Sequence, residues 1–72
     1  MSEPGSQTAG AKIRQIRLAR FWSQEKLARR AGISTRTIQS IEAGSHPREE
    51  TAIAIADALA VSIEDIAPEV AA

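Results

Sequence analysis

Cysteine is missing from the 72-residue sequence, and histidine, phenylalanine and tryptophan occur once each. Without cysteine there is no disulfide framework and no thiolate metal site, and His46 alone cannot assemble a zinc cluster. No cofactor or metal is expected. Enzymatic chemistry is disfavoured for the same reason, since a nucleophile, a base and oxyanion donors must converge and the sequence offers one imidazole and scattered acids. Ser45 beside His46 is a neighbour pair with no orienting acid. Long apolar runs are lacking too. The longest, "AIAIADALAV", is broken by Asp57 and is far too short to span a bilayer, while "MSEPGSQTAG" at the start has no basic-plus-apolar signal pattern. A soluble, cytoplasmic protein without membrane contact is expected.

Net charge is also lacking, with nine bases against nine acids, but the balance hides a split. Residues 1–48 carry all nine Lys and Arg against Glu3, Glu25 and Glu42, whereas residues 49–72 carry six acids and no base. A partner responds to the field of a face and not to a sum, so one basic side is compatible with a polyanion. The length allows one small domain, with a stability of roughly 4 to 10 kcal/mol.

Residues 1–8 combine Pro, Gly, Ser and Gln with little apolar content and read as a disordered arm. The periodic part, 9–67, follows. Ile13 and Ile16 lie one turn apart in a helix from about Ala9 to Arg20. Ser23 caps a second helix, "QEKLARRA", with Glu25 at the positive end of its dipole and Gly32 closing it. Ser34 caps a third helix that Gly44 closes. A fourth runs from Arg48 to about Ala60 with Ile53, Ala56 and Leu59 on one side. Ser62 and Asp65 open a short fifth that Pro68 stops, leaving 68–72 as a tail. The fold is expected to be all-α with five helices and no strand.

The third helix carries the chemistry. At 100° per residue, Thr37, Ile38 and Ile41 cluster on one side, while Arg36, Gln39, Ser40 and Ala43 share the other, with Thr35 at the N-terminal edge. Arg grips guanine O6 and N7, Gln grips adenine N6 and N7, and Thr or Ser serves either, so these side chains suit the DNA major groove. A solvated outer face is the bland alternative. Against it stand two helices joined by Gly-Ile-Ser, the geometry of a helix-turn-helix, in the basic half of the chain.

The stretch "WSQEKLARRAGISTRTIQSIEAGSHPREETAIAIADALAVSIEDI" resembles the XRE-type helix-turn-helix family that includes lambda-type phage repressors and Cro. The pattern Ser-Gln-Glu-x-Leu-Ala, Gly, Ser, Ile-x-x-Ile-Glu-x-Gly and Leu-Ala-x-Ala-Leu-x-Val-Ser recurs here with its spacing, with Ile55 at the first Leu of the last run. The likeness covers about Ile13 to Ile66. It implies a compact five-helix lambda-repressor-like domain that binds a palindromic double-stranded DNA operator as a homodimer and regulates transcription, most simply as a repressor. It makes Thr35, Arg36, Gln39 and Ser40 the base-reading positions, and Gln24, Ser34, His46 and Arg48 the phosphate contacts. A helix N-terminus favours phosphate at Gln24. A solvated first-turn residue at Gln24 and a wet loop residue at His46 are the competing readings.

Glu42 points 40° from Ile38, and Arg17 points 40° from Ile13, so each flanks a buried side. The resemblance implies that these two pair as a structural ion pair, with Arg20 a rival partner. Many members carry Gly where Phe21 and Ala60 stand. A side chain there is costly at positive φ, so these ends either take another conformation or store strain. Trp22 is assigned to the core between helices. The same fold can serve proteins, as in antitoxins, and the acidic C-terminal half with Ile63, Ile66 and Val70 could bind a protein partner. The sequence fits a whole small regulator or the DNA-binding part of a longer one.

Overall fold

A computed structural model describes residues 8–71. Its elements are α1 (Ala9–Ala19), α2 (Gln24–Ala31), α3 (Thr35–Glu42), α4 (Glu49–Leu59), a 3-10 turn (Ile63–Asp65) and α5 (Pro68–Ala71). No strand occurs among the described residues. Residues 1–7 of the expected arm lie outside them, but Thr8 does not belong to an arm. Its Oγ1 accepts from the Ala11 amide at 3.1 Å, which makes it the N-cap of α1.

Serine caps start the next two helices as the sequence indicates. Ser23 Oγ accepts from the Lys26 amide at 3.0 Å and Ser34 Oγ from the Thr37 amide at 3.1 Å. At the other ends, α1 to α4 all close alike. The amides of Trp22, Ile33, Ser45 and Val61 reach back five residues to the carbonyls of Arg17, Ala28, Ser40 and Ala56, at 3.0–3.1 Å. This closure puts the preceding residue at positive φ. Gly32 (74°) and Gly44 (123°) meet that demand without a Cβ, but Phe21 (59°) and Ala60 (58°) do not, so strain is stored at two helix ends.

The C-terminal end departs from expectation. The segment opened by Ser62 is a single 3-10 turn with a capping box, in which the Ser62 amide donates to Asp65 Oδ2 at 3.0 Å. Pro68 then begins a short helix instead of ending one, because the first helical position needs no N–H and suits a fixed φ. Residues 68–71 are therefore helix, not tail.

Ile13, Leu27, Ile38, Ile55, Leu59 and Ile66 are fully buried, so α1 to α4 and the residue after the 3-10 turn all feed one aliphatic core. Trp22 is not inside it. The ring packs on the core from its edge, half-buried, with the cationic heads of Arg20, Lys26 and Arg30 at 5.9, 5.3 and 5.3 Å from the ring centroid. Gly10 sets the seating of α1 on α3. A Cβ there would lie 1.8 Å from the Ile41 carbonyl oxygen, so only a hydrogen lets the two backbones approach so closely.

Candidate nucleic-acid interface

The turn Gly32-Ile33-Ser34 sets α3 against α2, and Ile38 and Ile41 anchor α3 in the core. That anchoring dictates what faces outward. Arg36, Gln39, Ser40 and Ala43 are exposed and Thr35 is half-exposed, as the helical spacing predicts. The side chains of Arg36, Gln39 and Ser40 make no hydrogen bond among the described residues, so their donors and acceptors are free. α3 has eight residues and spans about 12 Å, comparable to the width of a DNA major groove.

Beside α3 lies an open cleft of about 470 Å³ lined by Arg36, Ser40, Ser45, His46, Arg48 and Thr51, among others. It brings two of the expected base-reading residues together with two of the expected phosphate contacts. Ser45, weighed in the sequence only as a neighbour of His46, and Thr51, which sequence reasoning passed over, add hydroxyls; their place here shows only once the α3–α4 loop folds back along the helix. His46 is not free of acid. Its Nδ1 lies 3.9 Å from Glu69 Oε2, an exposed pair of little energetic weight.

At the C-terminal end of α3 the acid Glu42 is held inward. Arg17 Nε donates to its Oε2 at 2.7 Å and Arg17 Nη2 to its Oε1 at 2.8 Å, a two-pronged clamp in which both side chains are nearly buried. Arg17 Nη1 donates to the Trp22 carbonyl at 2.8 Å and Gln24 Nε2 to Glu42 Oε1 at 3.1 Å. Burial by itself would raise the Glu42 carboxyl, but the hydrogen bonds from Arg17 and Gln24, with the charges of Arg17 and Arg14, outweigh it and hold the group below its ordinary value. Arg20 takes no part in this cluster. It donates to the Leu59 carbonyl at the end of α4.

The other expected phosphate contacts fall as follows. Gln24 opens α2 with one amide hydrogen committed to Glu42 and its carbonyl oxygen without a partner among the described residues. Ser34 is exposed, and its hydroxyl is shared between the Thr37 amide and Thr37 Oγ1 at 2.9 Å. Arg48 is exposed at the N-cap of α4 without a side-chain capping bond.

The sequence profile of the helix-turn-helix family matches residues 13–66, three quarters of the chain and all of the clamp and the outward face of α3. The chain belongs to this family, of the XRE type to which lambda-type repressors and Cro belong. It is a family of DNA-binding transcription regulators. No curated protein and no solved structure matches the chain. No helix of the described residues is long and apolar enough to cross a membrane. Among the described residues no three His, Cys, Asp or Glu side chains gather as metal ligands.

Proposed function

We propose that the protein is a sequence-specific double-stranded DNA-binding regulator, a repressor, that reads the major groove with α3. The observation that carries this is the outward face of α3: Arg36, Gln39 and Ser40 are exposed, their side chains make no hydrogen bond among the described residues, and they are held on a helix whose opposite side is locked in the core. Such a helix presents forked and short polar groups on a rigid support, which base reading requires. In this reading Thr35, Arg36, Gln39 and Ser40 meet base edges. Gln24 and Ser34, at the starts of α2 and α3, meet phosphates with the first-turn amides behind them. Arg48 adds a phosphate contact from the far wall of the cleft, and His46 does so by turning from Glu69 toward the backbone.

Glu42 supports the same reading by being sequestered. A free carboxylate at the end of the reading helix would repel phosphate, and Arg17 neutralises it. The operator is palindromic and the bound species a homodimer, with half-sites about 10 to 10.5 base pairs apart. The test is selection from a random duplex pool followed by anisotropy titration of the winner at several salt concentrations. A palindromic consensus with a steep salt slope is expected. Failure to enrich any sequence, with weak binding insensitive to salt, would overturn the assignment.

A further inference from the structure

Phe21 is unexplained by DNA reading. Its ring is 96% exposed and its backbone sits at φ 59°, so the chain maintains a costly aromatic where glycine would be unstrained. Leu18, one turn earlier and 47% exposed, adjoins it, and the Phe21 amide donates to the Leu18 carbonyl at 3.0 Å. Exposed Arg14 lies four residues before Leu18 on the same helix, and exposed Arg20 directly precedes Phe21. The corner is therefore apolar with a basic margin; the acid nearest along the chain is Glu25, four residues on.

Among the described residues the remaining exposed large apolar side chain is Ile53, 44% exposed on α4. Its surroundings have the opposite sign. Glu49, Glu50 and Asp57, all exposed, stand three or four residues from it on the same helix. The two patches lie on adjoining elements. Arg20 ties the end of α1 to Leu59, and Ile53 is six residues back from there, about 9 Å of helix rise.

We propose that these two patches are the halves of one homodimer interface. Leu18 and Phe21 of one copy pack on Ile53 of a second, with Arg14 and Arg20 opposite Glu49, Glu50 and Asp57. A two-fold axis between the patches makes the contact reciprocal, so each copy gives a corner and receives a stripe, and the assembly closes at two. Charge complementarity selects this occupant: the basic apolar corner finds its acidic apolar counterpart on its own chain. The inference deepens the homodimer of the proposed function by naming its surfaces. Its test uses no DNA, so either reading can fail while the other stands.

The absence of cysteine makes the test direct. Phe21→Cys and Ile53→Cys chains, one of them isotope-labelled, are mixed in equal amounts under mild oxidation, and the disulfide-linked products are weighed by mass spectrometry. The mixed product, which joins position 21 of one chain to position 53 of the other, is expected to form about tenfold faster than either like-with-like product. A mixed product formed only about twice as fast as each like-with-like product, the ratio that random encounter alone gives, or a dominant product joining two Phe21→Cys chains, would overturn the proposal. Sedimentation equilibrium provides the second arm. Wild type is expected to dimerise, more weakly at about 0.5 M salt, and Phe21→Gly and Ile53→Glu are each expected to weaken dimerisation by about tenfold or more. Phe21→Gly relieves strain, so its loss of dimer cannot be ascribed to unfolding; a wild type that stays monomeric, or a Phe21→Gly variant that dimerises as before, would sink the idea.

Discussion

Arg17 and Glu42, twenty-five residues apart, form a two-pronged ion pair that joins α1 to the end of α3. The third arm of the guanidinium holds the Trp22 carbonyl, and Gln24 holds the carboxylate from α2, so three helices and one turn meet at a single acid. Removing one partner strands the other almost out of water. Arg17→Ala and Glu42→Ala should each cost about 3 to 5 kcal/mol in urea unfolding, a large part of the stability of so small a domain. A loss under about 1 kcal/mol would show that water replaces the missing partner at no cost.

The same pair sets a pH dependence. Because the folded protein holds the Glu42 carboxyl below its ordinary value, its contribution is complete above the unfolded carboxylate range, near pH 4.3. As pH falls below that range and through the folded value, the contribution is lost. Thermal melts between pH 7 and pH 2 should fall more steeply for wild type than for Glu42→Gln in the acid limb. Parallel curves would mean that other carboxylates govern acid unfolding.

Two of the four similar helix ends are strained and two are not. Phe21→Gly and Ala60→Gly should each stabilise by about 0.5 to 1 kcal/mol, the relief at positive φ exceeding the entropy that glycine adds to the unfolded chain. Gly32→Ala, which introduces the same strain, should destabilise by a similar amount. For a domain of this size each change moves the melting temperature by about 2 to 8 °C.

Gly10 behaves oppositely to a helix-propensity argument. Alanine is the better helix former, yet Gly10→Ala would drive a methyl into the Ile41 carbonyl and the Glu42 Cα, backbone atoms that cannot turn aside. Chemical denaturation should show a net loss of about 1 to 3 kcal/mol. A gain would mean that α1 slides on α3 without consequence.

On DNA, Arg36 and Arg48 should separate. Arg36→Ala is expected to change which sequence is preferred, at about 1 to 3 kcal/mol for the affected base pair. Arg48→Ala should weaken all duplexes similarly and lower the salt slope by about one. An unchanged preferred site in Arg36→Ala would remove it from the base-reading set.

Helix starts and the buried side of α3 were legible in the sequence because their causes are local. Ser23 and Ser34 cap, Gly32 closes, and Ile38 and Ile41 repeat at helical spacing. The Arg17–Glu42 pair required the family resemblance, since an angle shows that a side chain flanks the core but not which partner waits there. Gly10 was opaque because a glycine inside a helix reads only as a poor helix former, and its reason lies in the backbone of α3. Pro68 misled, since one residue type ends a helix from inside and begins one at its first position. Trp22 is large and apolar enough to read as core, but the cations that hold it at the edge gather only when α1 and α2 fold together.

The outward residues of α3 carry none of the fold. The side chains of Arg36, Gln39 and Ser40 make no hydrogen bond among the described residues, while Ile38, Ile41 and Glu42 on the same two turns hold the helix in place. Exchanging the first group should leave stability within about 0.5 kcal/mol. A lineage could thus change what this helix recognises by a few substitutions without endangering the domain, and a designer could retarget it by the same route: the scaffold and the message are written in separate residues of one short helix.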